Sequence, residues 1–330
     1  MLWIGVLACI IADIGWIISA FIVSRGIKEI KEGYSNIFNE KDLNGIQIEL
    51  VMRYLSITLL IGFGALTIIL IPVFYMNFGF FSWYIIPAGI LLYGAGTALY
   101  YFCSVVYLRA EIASQFARVK PLFAIVFGIF IFNLTFELPQ QISLILVCVG
   151  ILLFLIITIK GKFGFLGLTL GFLTALSWAF GEVFINLAYR DMTIPAGDYQ
   201  PYIFTYHGTL IGLISVVTVY LLLFVKNRGI KKERNLNLQP EHGKRWTIQK
   251  YFVAHGLLSI ALGYTTNHIG IYFLGIAGAA VITSAWPILS LIIGYQFYFA
   301  SEDREKYREK ILWIVITAGI LLAASIFYIF

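Results

Sequence analysis

Charge is scarce in this chain. Only 12% of its 330 residues are Asp, Glu, Lys or Arg and 60% are hydrophobic, whereas a soluble domain uses about a quarter charged residues to keep its surface wet. Mean hydropathy is +0.90, so lipid is the expected solvent. Cysteine is scarcer still. The three present, Cys9, Cys103 and Cys148, fall at scattered positions within apolar runs, which argues against a disulfide framework and a metal site alike. Also absent are HExxH, Gly-x-Ser-x-Gly with a partnering His, an Asp-rich diphosphate motif and any Cys/His cluster of metal spacing, the sets that intramembrane catalysis would need. No enzyme and no resident cofactor are expected. The first apolar run has no basic leader and carries Asp13, which argues against a cleaved signal peptide.

What is present is length. A bilayer core about 30 Å thick takes about 20 apolar residues per helical span, and ten such runs occur, near 2–23, 51–74, 82–107, 111–132, 140–159, 163–188, 201–225, 251–273, 276–299 and 309–330. The runs are continuous and do not alternate, so helices are predicted and barrel strands are not. Basic residues divide sharply between the connections. Loops after odd-numbered spans hold nineteen, from Arg25 to Lys310, and the other loops hold only Arg190. Short basic loops stay cytoplasmic, which puts the odd loops inside and both termini outside a multi-pass protein of the cell membrane. This alternation, rather than nucleic-acid binding, accounts for the net charge of +6. The longest polar stretch, 226–250, reads as a solvated basic loop near anionic headgroups, with a phosphate contact at Lys231 and Lys232 as the lesser alternative.

The chain repeats. Gly5 and Trp16 return as Gly167 and Trp178, and Ala113 to Gly128 around Pro121 returns as Ala279 to Gly294 around Pro287. Halves of 1–160 and 161–330 with five spans each must enter the bilayer in opposite senses, giving an inverted repeat. Secondary transporters place a solute site near the midplane between such repeats.

Together these residues resemble the EamA type of the drug/metabolite transporter superfamily over nearly the whole chain. The resemblance is carried by Trp16 and Trp178, by Arg53 opening the second span, and by small residues before Pro121 (ASQFARVKP) and Pro287 (AAVITSAWP). Glu137 and Glu302 also match, each leading into a helix with a late glycine, Gly150 or Gly319. It implies an all-α protein of ten transmembrane helices that carries solutes. External termini look more like the related rhamnose–proton symporter, and Arg118 with Lys120 makes the fourth span more cationic than the family pattern.

Charges inside a span cost roughly 2.5–3.5 kcal/mol each near its centre and face the bundle interior. Asp13, Arg118, Lys120 and Glu182 are the deep ones. Two readings follow. In one, the acids and bases pair to hold four helices together, because an unpartnered buried charge is heavily penalised. In the other, Arg118 or Lys120 binds an anionic group on the solute while Asp13 or Glu182 takes a coupling H⁺ or Na⁺. Gln115 shares a helical face with Arg118, and Tyr101, Asn267, His268, Trp286 and the two repeated tryptophans, Trp16 and Trp178, complete the expected solute contacts. For Asn267 and His268 the plainer reading is helix-to-helix hydrogen bonding.

The function expected is secondary transport of a small polar metabolite (amino acid, sugar or organic anion) by alternating access. The alternative is a flippase for a lipid-linked or phosphorylated substrate. Partners are the solute and the bilayer, with the protein a monomer or a homodimer.

Overall fold

The computed structural model describes residues 1–40, 43–77, 81–103, 119–158, 165–191, 199–234, 236, 240, 244–284, 292 and 310–329. Within them the chain is helical, with no strand. We label the helices α1 (Leu2–Gly33), α2 (Asn44–Asn77), α3 (Ile85–Phe102), α4 (Lys120–Phe132), α5 (Leu138–Thr158), α6 (Phe165–Tyr189), α7 (Gln200–Glu233), α8 (Lys244–Ile282) and α9 (Ile311–Ile329). Eight of them are long and apolar enough to cross a membrane, and α4 is a shorter apolar helix. Large apolar side chains on their outer faces, such as Leu152, Ile156, Leu222 and Trp313, stand exposed where lipid would cover them.

The helices outrun the hydrophobic runs that announce them. α1 continues to Gly33 and α7 to Glu233, because Lys, Arg and Glu are good helix formers and Lys231 and Lys232 sit favourably in the last turn of α7. The expected loop at 226–250 is therefore largely helical: α7 enters it from one side and α8 starts at Lys244 on the other. Lys231 is bonded rather than solvated. Its Nζ lies 2.5 Å from Glu49 Oε1 on α2, with the two side chains only 12% and 4% exposed. Asn227 donates to Glu49 Oε2 and to the Gly45 carbonyl, and the exposed pairs Arg234–Glu40 and Lys244–Glu32 close the same face.

One register organises the centre. Gly5 packs on Leu274, Cys9 on Gly270 and Trp16 on Gly263, so four residues forward along α1 meet four residues back along α8, and seven meet seven. The two helices are antiparallel neighbours, held closely by small residues, as helix packing in lipid requires when no hydrophobic drive distinguishes protein from solvent. The seam ends at Gly275. There φ is 70° and ψ is 171°, a backbone conformation essentially confined to glycine, and it divides α8 into a long first part and a short second part, Ile276–Ile282. The division coincides with the boundary between the eighth and ninth hydrophobic runs.

Two large apolar clusters form most of the core, beside a small one of Cys9, Ile271, Ala279 and Ile282. The larger joins α1, α2, α3, α6, α7 and the first part of α8. The other joins α4, α5, α6, α9 and the end of α8. Sequence halves are thus interleaved in space.

Two π-helical segments, Gly89–Gly96 in α3 and Gly256–Tyr264 in α8, occupy corresponding places. Widened turns leave carbonyls needing other donors in a medium without water. Thr97 donates to the Leu92 carbonyl and Ser177 of α6 to the Leu91 carbonyl. At or next to the end of each segment a glycine is covered by a repeated tryptophan: a Cβ at Gly263 would stand 2.6 Å from Trp16 Nε1, and one at Gly96 would stand 2.6 Å from Trp178 Nε1.

Candidate functional site

Those two tryptophans face one cavity. Its empty volume is about 610 Å³, a figure that includes the open solvent at its mouth. α1 supplies Trp16, Ser19 and Ala20, α3 supplies Thr97 and Tyr100, α4 supplies Lys120, α6 supplies Trp178, and α8 supplies His255, Ser259 and Tyr264. Both halves of the sequence contribute.

Lys120 opens α4, with Pro121 in the first turn, where a missing N–H costs no hydrogen bond. A cation at a helix N-terminus opposes the helix dipole and needs a close anion. Glu182 of α6 provides it, its Oε1 2.5 Å from Lys120 Nζ, with side chains 10% and 3% exposed. Asn267 of α8 donates to the same Oε1 at 2.7 Å. The ammonium also lies 4.9 Å from the centroid of the Trp16 ring, within cation–π range. One charge thereby ties α1, α4, α6 and α8 together, as the pairing reading of the sequence expects.

Asp13 adds a second carboxylate. It is 6% exposed, and its Oδ1 has no hydrogen-bond partner among the described residues. The α1–α8 register sets Asp13 opposite Thr266 and Asn267, and the Lys120 charge reaches it. Around this point the described side chains place two carboxylates against one ammonium, before the imidazoles are considered.

The remaining expected contacts divide. Trp16, Trp178 and Lys120 line the cavity; Tyr101, Asn267 and His268 do not. Tyr101 is buried against Phe252 and His255, with its hydroxyl 3.4 Å from Thr58 Oγ1. Asn267 serves Glu182. His268 is fully buried, its Nδ1 2.7 Å from Thr205 Oγ1 and its ring edge-on to Tyr93. Arg118, Gln115 and Trp286 lie outside the described residues.

Sequence reasoning passed over Ser19, Thr97, Tyr100, His255 and Ser259. His255 Nδ1 is hydrogen-bonded to Ser19 Oγ, and the ring lies 5.6 Å from that of Tyr101. The usable signal was the glycine pair, Gly96 and Gly263, each directly followed by a cavity-lining hydroxyl residue, Thr97 or Tyr264.

Comparison with known proteins gives three findings. The family model described as the EamA-like transporter family matches residues 165–330. No curated protein matches the chain. One solved protein crystal structure shares its fold at 16% identity, with a TM-score of 0.60 over 98% of this chain and 95% of that one.

Proposed function

The chain belongs to the EamA-like transporter family, a family of transporters and not of enzymes, and on that premise we propose that it is a secondary active carrier of a small polar metabolite. The solute crosses the cell membrane by alternating access around the cavity between α1, α3, α4, α6 and α8. The observation that carries this reading is the charge behind the cavity wall: Lys120, which lines it, pairs with the buried Glu182, and the buried Asp13 carboxylate on α1 keeps an oxygen without a hydrogen-bond partner among the described residues. A fixed structural cluster would satisfy every member, since an unpaired buried charge is costly. Two carboxylates against one cation among the described residues suit a carrier that takes up H⁺ or Na⁺ on each cycle. Asp13 and Glu182 are the coupling carboxylates in this reading.

The reading includes a scaffold of ten spans arranged as two inverted repeats, 1–160 and 161–330, with odd loops cytoplasmic and termini external. Support comes from the corresponding π-helical segments, each with a glycine at or next to its end under a tryptophan from the other half, and from the charge asymmetry of the loops.

The test is reconstitution into liposomes after a thermal-shift screen of metabolites, since a ligand selective for the folded state stabilises it by RT ln(1 + [L]/Kd). Uptake of a hit should accumulate solute under an H⁺ or Na⁺ gradient. Asp13→Asn or Glu182→Gln should abolish that accumulation. If both variants accumulate solute as the wild type does, the coupling assignment is wrong.

A further inference from the structure

We propose that the solute is an organic ammonium, and that Lys120 holds its place in the empty cavity as a tethered stand-in. The inference rests on the carrier reading and names its substrate class.

Three observations converge. First, the Lys120 ammonium has the surroundings that an ammonium ligand would seek: a carboxylate oxygen at 2.5 Å and an indole face at 4.9 Å, in a setting almost closed to water. Rings attract cations most strongly where both are desolvated, and Tyr100, Trp178 and Tyr264 extend the aromatic wall beyond Trp16. Second, the charge count among the described residues favours a cation. An anion at this end would meet Glu182 and Asp13 against a single ammonium whose carboxylate partner is already in place. An ammonium taking the Lys120 position would meet Glu182 and the Trp16 ring face, with the Asp13 carboxylate, one helical turn before Trp16 on α1, as further negative charge. Third, the rest of the polar lining is neutral and hydrogen-bonding, with Ser19, Ser259 and the imidazole of His255. The fitting ligand carries one ammonium, a flat apolar body and a neutral polar group.

Loading is then an exchange of like for like. The solute ammonium takes the Lys120 position against Glu182, and the flexible four-carbon stem of the lysine withdraws its own charge. Two ammonium groups at one carboxylate repel each other in this buried setting, so Lys120 weakens binding of every amine while neutralising Glu182 in the empty cavity.

Chemical rescue tests this directly. In detergent, Lys120→Ala should lower Tm, and ethylammonium at tens of millimolar should restore most of the loss, whereas sodium acetate or ethanol at matched ionic strength should not. The double variant Lys120→Ala/Glu182→Gln should show no rescue. On the wild type, phenethylammonium should raise Tm by about 2 °C or more, with 2-phenylethanol and 3-phenylpropanoate inactive. Should Lys120→Ala not fold, the wild-type series decides alone. Absence of rescue, or stabilisation by phenylpropanoate that Lys120→Ala removes, overturns the ammonium assignment. Gradient-driven uptake of an anionic solute alongside either result would leave the carrier reading standing, and loss of the carrier reading would require that no solute accumulates at all.

Discussion

The Glu49–Lys231 contact lends itself to a quantitative test because a control sits beside it. Lys231→Met keeps most of the stem and removes the charge. Glu49, 4% exposed, then retains only the Asn227 amide at 3.1 Å. Removing one partner of a buried pair costs about 3–5 kcal/mol, chiefly because the other charge is left unpaired. With the Asn227 bond intact and Lys231 12% exposed, the lower end applies, about 3 kcal/mol. At about 2–4 °C per kcal/mol, Tm should fall by about 6–12 °C. Lys231→Met combined with Glu49→Gln removes both charges and should recover most of that loss. Arg234→Ala breaks the neighbouring pair with Glu40, whose side chains are 43% and 51% exposed, and should cost no more than about 1 kcal/mol. Thermal unfolding of the four proteins in one detergent is the assay. A Lys231→Met loss no larger than that of Arg234→Ala, or a double variant as unstable as the single, would refute the argument that burial gives this pair its weight.

Three further outcomes are expected. Gly275→Ala forces an L residue into a glycine-only conformation with no neighbour to clash with, so it should cost about 1–3 kcal/mol from backbone strain alone, while Gly319→Ala, equally uncrowded at ordinary φ, should be neutral or slightly stabilising in the same melt. Gly96→Ala and Gly263→Ala should each cost about 1–3 kcal/mol by overpacking and shift tryptophan fluorescence, since each new methyl meets an indole; equal, unshifted spectra would refute the contact. Ser177→Ala leaves the Leu91 carbonyl without that donor and should lower stability by about 1 kcal/mol, measured against Ser177→Thr.

Hydropathy reports the membrane and says little about where a helix stops. That is why the apolar runs located the spans, while the continuations of α1 and α7 into polar sequence escaped notice. The site was partly legible for a related reason. Asp13, Lys120 and Glu182 stand out because charge in lipid demands an explanation, and the Lys120–Glu182 pairing followed from the cost of leaving either alone. Trp16 and Trp178 stood out by repetition. Ser19, Thr97, Tyr100 and Ser259 did not, because none is unusual in a span, and a lone histidine such as His255 is more often a helix-to-helix contact; only the register between helices brings them to one space. Asn267 and His268 attracted notice as polar residues, yet polarity in a span does not reveal whether its partner is a solute or a neighbouring helix; the Glu182 and Thr205 bonds are of the second kind, the plainer reading. The π-helical segments had no advance signature beyond their glycines.

The contacts along α1 and α8 also constrain how this protein can move. Leu274 fills the notch at Gly5, Cys9 the notch at Gly270 and Trp16 the notch at Gly263, while Tyr251 and Phe252 close on Gly26. Teeth of unlike size in matching gaps cannot be advanced by one position without every tooth striking a wall. Sliding is thereby locked, whereas tilting the two helices about their line of contact disturbs no tooth. For a carrier working as proposed above, that would leave rotation about the seam as the movement open to α1 and α8.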